Sequence, residues 1–317
     1  MKQYLGIDTS NYTTSLALCD ENGIVSHVRR LLPVKEGELG LRQSDAVFHH
    51  TQQLPALAQE LFKDCRAQDI AAIGVSSRPR DIEGSYMPCF TVGYMLASSF
   101  SSLLHVPMYE FSHQCGHIMA AVHSVNRFDL LEKPFIAFHV SGGTTEALLV
   151  QPDSGKIIKA SIIAKTLDLN AGQLIDRVGV MLGLKFPAGA ELEKLASRYN
   201  GDVKVRPALK GEDCCLSGGE NMVQKMILNG DSPEKAAYFT IKFIGCTIAG
   251  MCDKICTRYP DIPILFAGGV MSDMLMRKWI DRGEQTVFSL SGFSSDNAAG
   301  TAVLARLKEQ SQKDGNV

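Results

Sequence analysis

Tyr4-Leu5-Gly6-Ile7-Asp8-Thr9-Ser10-Asn11, followed by Thr13 to Cys19, Asn22-Gly23 and Ile24 to Leu31, is the stretch that decides the fold. An apolar run, a polar corner, a second run, an Asn-Gly pair and a third run predict three strands, Tyr4–Ile7, Thr13–Cys19 and Ile24–Leu31. Asn-Gly suits a tight hairpin because both residues tolerate positive φ. The scheme recurs further along the chain: Phe135–Val140, a Ser141-Gly142-Gly143-Thr144 corner, Glu146–Val150, Asp153-Ser154-Gly155, then Lys156–Ile163. Each copy is followed by a buried-looking strand with a helix behind it, Ala71–Ser76 with Cys89–Leu104 and Ile264–Ala267 with Met271–Asp281. Alternating strand and helix patterns of this kind imply two duplicated α/β lobes, with the cleft between them as the default ligand site. The expected division is an N-terminal lobe over 1–110 and a C-terminal lobe over 111–317, with a helical insertion at about 164–260. The last helix is a candidate to pack back on the N-terminal lobe.

Composition bounds the function classes. The 317 residues are 45% hydrophobic and 21% charged, which is globular rather than disordered or fibrous. Only the tail from about Lys308 to Val317 reads as frayed. A net charge of -2 gives no global basic field, so nucleic acid would need a local patch or a partner, with Arg29-Arg30 and Arg78 with Arg80 as candidates. Nine cysteines without a Cys-x2-Cys pair favour reduced thiols. No apolar signal core precedes Tyr4, and the apolar stretch from Val92 to Tyr109 is interrupted by serines and His105. A cytoplasmic protein without a membrane segment is expected.

Two patterns point to chemistry. In Ser112-His113-Gln114-Cys115-Gly116-His117 the imidazoles are four residues apart, on one face of a helix, where they can share a metal ion. Ser294-Ser295-Asp296-Asn297-Ala298-Ala299 offers Asp296 as a third ligand, and two His with one Asp leave a divalent metal open positions for substrate. The bland alternative is a pair of ordinary helix-face histidines. Glycine corners form the second pattern. Gly142 and Gly143 can bring bare N–H groups onto phosphate oxygens beside Ser141 and Thr144, and Gly268-Gly269 repeats the device before a helix. Asp176 suits ribose hydroxyls, and Gly189 after Pro187 lets backbone approach a base or sugar; their alternatives are a solvated helix carboxylate and simple helix punctuation. Asp8 is a candidate acid near phosphate.

Taken in order, Gly-Ile-Asp-Thr-Ser (6–10), His-x3-His (113–117), Val-Ser-Gly-Gly (140–143), Ala-Gly with a following Asp (171–176), Pro-x-Gly (187–189), Ala-Gly-Gly-Val (267–270) and Asp-Asn-Ala-Ala (296–299) resemble the TsaD-type family. These are the tRNA threonylcarbamoyladenosine synthases, formerly labelled glycoproteases. The resemblance implies the actin-like ATPase fold shared with Hsp70 and sugar kinases. It implies that His113, His117 and Asp296 bind one iron or zinc ion. It also implies that Val140, Ser141, Gly142, Gly143, Thr144, Asp176, Gly189, Gly269 and Asp273 hold an adenine nucleotide, threonylcarbamoyl-adenylate or ATP. Asp8 and Asp176 are the catalytic candidates. The acceptor would be tRNA, and small accessory proteins of the pathway, or a homologous subunit, would be partners.

The departures from the family pattern suggest a divergent paralogue. Cys115 stands where the family has Glu, removing an acid that would orient a ligand. Thr144 replaces His, Asp273 replaces a nucleotide-contacting Asn, Ser217-Gly218-Gly219-Glu220 reverses a Lys charge, and Arg78-Pro79-Arg80 replaces Gly-Pro-Gly. Three other readings share the residues: a non-catalytic nucleotide- and partner-binding paralogue, a metallopeptidase, and a small-molecule kinase or ATPase. The peptidase lacks a general-base Glu between the histidines.

Overall fold

The structure, a computed structural model, describes residues 1–10, 12–33, 41–290 and 298–314. In chain order the first elements are β1 (Gln3–Ser10), β2 (Thr13–Asp20), β3 (Gly23–Leu31), α1 (Gln43–Leu61), β4 (Ile70–Arg78), α2 (Phe90–Leu104), β5 (Met108–Ser112) and α3 (His113–Ser124). Then come β6 (Phe135–Val140), β7 (Thr145–Asp153), β8 (Ile157–Lys165), α4 (Ala171–Met181), α5 (Gly189–Ala196), a small hairpin of β9 (Leu209–Lys210) and β10 (Asp213–Cys214), α6 (Ser217–Leu228) and α7 (Pro233–Arg258). The chain closes with β11 (Ile264–Ala267), α8 (Met274–Ile280), β12 (Thr286–Phe288) and α9 (Ala298–Asp314).

The duplicated pattern is seen in the two five-stranded sheets, ordered β3-β2-β1-β4-β5 and β8-β7-β6-β11-β12. In each, the first strand of the repeat pairs antiparallel with the second (β1 with β2, β6 with β7) and parallel with a later strand (β1 with β4, β6 with β11). Strands β1, β6 and β11 are buried along nearly their whole length, as inner strands covered on both faces should be.

Two compact units result. Among the described residues, the first takes 1–133, 151–161 and 298–314, and the second takes 134–150 and 162–290. The histidine-bearing helix α3 belongs to the first of these units. Helix α9 is part of the first unit too, and its seat there requires glycine. A Cβ on Gly300 would lie 1.9 Å from the carbonyl oxygen of Gly116 in α3, and a Cβ on Gly6 would lie 2.0 Å from that of Ala298. Neither contact is survivable without moving backbone.

The expected frayed tail is instead helix up to Asp314. Glu309 is buried and accepts a hydrogen bond from Tyr109 Oη at 2.8 Å, Lys308 Nζ donates to the carbonyl of Ser154, and Lys313 pairs with Glu309. In the second unit the core is built on α7, whose start is set by Pro233 in the first turn and by the Ser232 hydroxyl accepting from Lys235 N. Among the described residues no helix is long and apolar enough to cross a membrane.

Candidate functional site

The first constellation lies at the end of β1. The predicted polar corner at Asp8-Thr9-Ser10 is strand, paired with Ser15, Thr14 and Thr13 of β2. Its side chains and backbone are committed inside the first unit. Thr9 Oγ1 donates to the carbonyl of Cys89 and accepts from Gly93 N, which fixes the start of α2. The carbonyl of Ser10 lies 2.8 Å from Nε2 of His50, a fully buried residue of α1 whose Nδ1 contacts Thr14 Oγ1 at 2.8 Å. Asp8, 1% exposed, accepts from Ser10 N at 3.0 Å through Oδ1, and its Oδ2 lies 2.8 Å from His113 Nδ1. Burial alone would raise its pKa. The charge and hydrogen bond of His113, with hydrogen bonds from Ser76 and Ser10, outweigh burial and hold the carboxyl below the usual range.

An ionised carboxylate only accepts, so Nδ1 of His113 is the donor to Asp8 and Nε2 is the ring nitrogen left for a ligand. That is the orientation that a metal ligand needs, held by the kind of partner that usually holds it. The rings of His113 and His117 are 4.7 Å apart at 71°, and Phe90 packs edge-on against His113 at 5.8 Å. The donor set thus fits a divalent metal with two imidazoles from α3. Among the described residues no third His, Cys, Asp or Glu completes a ligand group, and Asp296 lies outside them.

Helix α3 is set by its cap: Ser112 Oγ accepts from Cys115 N at 3.2 Å. Cys115 hydrogen-bonds to an acid from outside the His-x3-His box. Asp81, its side chain 2% exposed, takes hydrogen bonds from Cys115 Sγ at 3.0 Å and Ser112 Oγ at 3.2 Å on Oδ2. Arg78 Nη2 at 2.8 Å and Lys156 Nζ at 3.3 Å meet its Oδ1. Burial and then Asp81 push the Cys115 thiol far up, so it is a neutral donor and not a thiolate ligand.

The second constellation is made of backbone. Ser141 N donates to the carbonyl of Thr144 at 2.7 Å, closing the turn between β6 and β7, and Gly143 N points at Ser141 Oγ at 3.3 Å. Gly142 and Gly143 are exposed, and a Cβ on either would meet nothing within 4 Å. Beneath the turn, a Cβ on Gly172 would lie 2.7 Å from Gly142 Cα and N, so the first turn of α4 packs on it. Ala171 N donates to Thr145 Oγ1 at 2.8 Å, and Asn170 caps α4 with Gln173. Gly268 sits at φ +100°, and its Cβ would be 2.2 Å from the carbonyl of Val140, so only glycine fits. The exposed Gly269 follows, with open space around it. Val140, Ser141, Gly142, Gly143, Thr144 and Gly269 are therefore brought to one end of β6 and β11, which pair there as Ala267 with His139.

Asp176 uses Oδ1 to accept from Ala188 N at 2.8 Å, joining α4 to the start of α5 next to Gly189. The reversed charge at Glu220 is answered by Arg177 Nη1 at 2.8 Å. Asp273 is the N-cap of α8, accepting from Met276 N at 2.8 Å, and splits the single predicted helix over Met271–Asp281 into a 3-10 turn at Gly269–Ser272 and α8. Glu193 of α5 accepts from Met274 N and Leu275 N beside it. Burial first, then Glu193, pushes the Asp273 carboxyl up to about 7, so it keeps its proton to a higher pH than an ordinary carboxylate.

Sequence reasoning missed His50, Asp81 and Glu193. His50 belongs to a His49-His50 pair with no distinguishing period, and Asp81 follows an Arg-Pro-Arg loop. Only the fold brings their partners to them.

The two sheets of this order, each with its first strand paired antiparallel to the second and parallel to a later one, are those of the actin-like ATPase and sugar kinase fold. A ROK family glucokinase from Streptomyces griseus, solved with glucose and AMPPNP, superposes with a TM-score of 0.51 at 12% identity over 96% of this chain and 99% of that one. The chain belongs to the TsaD family, tRNA N6-adenosine threonylcarbamoyltransferase, whose pattern it matches over residues 36–303. It is 28% identical to the transferase of that name from Thermus thermophilus, covering 96% of this chain and 93% of the relative. Against the one from Riemerella anatipestifer it is 27% identical, covering 100% and 96%.

Proposed function

We propose that the protein is a divergent threonylcarbamoyltransferase that moves a threonylcarbamoyl group from threonylcarbamoyl-adenylate to the exocyclic amine of the adenosine adjacent to the tRNA anticodon, in the cytoplasm. The amine nitrogen bonds to the carbamoyl carbon, the bond from that carbon to the adenylate oxygen breaks, AMP leaves with the electron pair, and the amine loses a proton. The single observation that carries this reading is the Asp8–His113–His117 arrangement, retained in a chain that matches the family over 36–303.

His113 and His117, with Asp296, would hold one iron or zinc ion. Bound there, the metal supplies Lewis-acid polarisation and orientation of the threonylcarbamoyl group. Asp8 fixes the ring of His113 and its tautomer. Gly142, Gly143 and Gly269 present N–H groups to the adenylate phosphate, and electrostatic donors aimed at a departing anion are among the strongest contributors to group transfer. Asp176, already oriented by Ala188 N, has a second carboxylate oxygen for the ribose hydroxyls. Small accessory proteins of the pathway, or a homologous subunit, are the partners this reading calls for.

The test is single-turnover transfer of labelled threonylcarbamoyl from its adenylate to unmodified tRNA, with and without candidate accessory proteins. Modified adenosine at the expected position is the expected outcome. AMP release without modified tRNA would mean another acceptor, and no reaction under either condition would favour the non-catalytic nucleotide-binding reading.

A further inference from the structure

We propose that Asp81 is the positioning residue of the histidine pair: a carboxylate carried by the loop after β4 that takes over the role of an acid within the His-x3-His box. The proposal rests on the reading of His113 and His117 as metal ligands.

The two oxygens of Asp81 have separate tasks. Oδ2 receives two side-chain donors at the start of α3, Ser112 Oγ and Cys115 Sγ, which bracket His113. Oδ1 receives the two cations, Arg78 from the end of β4 and Lys156 from the β7–β8 hairpin. A further bond runs the same way, from Gln114 N to the carbonyl of Pro79 at 3.1 Å. Residues 112, 114 and 115 are thus all tied to the loop 79–81, and the only residue between them is the first histidine.

Burial decides which side of this cluster suffers when Asp81 is removed. Arg78 and Lys156 have side chains 21% and 44% exposed and can turn to water. Ser112 and Cys115 are 0% and 1% exposed and cannot. A buried donor stripped of its acceptor is costly, so the first turn of α3 has to rearrange to satisfy them. Cys115 has a weak alternative in the carbonyl of Ile158 at 3.8 Å, which would pull the turn off its present path. Ring placement on a helix follows backbone placement directly, and metal ligands tolerate little error. The geometry also explains why a cysteine suffices at 115. Its sulfur lies 3.0 Å from Asp81 Oδ2, so a carboxylate growing from 115 would occupy the space that Asp81 now fills.

The experiment titrates Co2+ into the metal-free full-length chain and reads both affinity and the visible d–d absorption, which reports ligand geometry. Wild type, Asp81→Ala, Asp81→Asn and the double variant Asp81→Ala/Cys115→Glu are compared, each checked for folding by circular dichroism. Asp81→Ala is expected to weaken Co2+ binding by roughly 10- to 100-fold and to alter the absorption band. Asp81→Asn should fall between it and wild type, and the added Glu at 115 should restore most of the affinity and the original band. Asp81→Ala binding Co2+ as tightly as wild type, with the same spectrum, would overturn the proposal. So would a loss that Glu at 115 leaves uncorrected, or a chain that unfolds in both single variants, because Asp81 would then act on the fold alone. A wild type that takes up no Co2+ would overturn the metal reading itself and this inference with it.

Discussion

The end of β1 and the end of β6 are equivalent positions in two copies of one strand pattern, yet they are built from opposite materials. At the end of β1 the arrangement is made of side chains: buried Asp8 meets Nδ1 of the half-buried His113, and buried His50 meets the carbonyl of Ser10 and the hydroxyl of Thr14. At the end of β6 it is carried by backbone, with Gly142 and Gly143 exposed and the support hidden below in Gly172 and Gly268. A metal needs a few strong, oriented donors, whereas a phosphate needs several weak N–H groups that can approach closely. On the proposed function, the two copies would be specialised in those two directions.

Substitutions at one strand end are expected to spare the other. The largest expected effect is on His113→Ala and His117→Ala, which should reduce transfer to background while adenine-nucleotide affinity, read by calorimetry, stays at the wild-type level. Loss of both properties together would break the separation.

The next largest is a pH effect confined to the backbone-built region. Asp273 is raised from 3.8 to about 7 in the folded chain, so the folded state binds more protons than the unfolded state between those values. Stability is then fully present below about pH 4, falls as pH rises toward about 7, and levels off above it. The upper bound for this contribution is about 4 kcal/mol, at 1.36 kcal/mol per pKa unit. Asp273→Asn should flatten the denaturation midpoint across that window; an unchanged slope would mean that neither burial nor Glu193 raises this carboxyl.

Gly172→Ala follows. Its new Cβ, 2.7 Å from Gly142 backbone, must push the Ser141–Thr144 turn outward. A cost of about 1–3 kcal/mol in stability is expected, with weakened nucleotide binding and unchanged metal content. Smallest is Asp176→Ala. It gives up one hydrogen bond to Ala188 N, worth about 0.5–1.5 kcal/mol, and should weaken adenine-nucleotide binding without touching the metal. Equal nucleotide affinity before and after would remove Asp176 from the site.

The inner strands were the most legible part of the chain. Phe135–Val140 and Ile264–Ala267 read from the sequence with the bounds they have in the structure, because mainly apolar runs closed by glycine-bearing corners leave little choice. Polar residues at element ends were harder. Asp8-Thr9-Ser10 reads as a corner by composition, but the strand continues because distant groups, His113, Cys89 and His50, satisfy what a corner would have left to water. Asp273 reads as part of a helix, whereas its extended backbone and its bond to Met276 N end one helical turn and start the next.

Of the candidate sites, the histidine pair and the glycine turns were visible because each is local in sequence. Asp81 was not, since apart from Arg78 its donors come from positions 112, 115 and 156, which nothing local marks as neighbours. The substitution of Cys115 for the family's Glu looks like a loss when read alone. In the folded chain it is matched by a carboxylate 3.0 Å from the sulfur.

The measurement that tests the central claim most directly is the metal content of the purified full-length protein, taken beside His113→Ala and His117→Ala. About one equivalent of iron or zinc in the wild type and none in either variant is the expected result. A wild type free of metal after reconstitution, or variants that keep a full equivalent, would contradict the assignment of the end of β1 and α3 as the metal site.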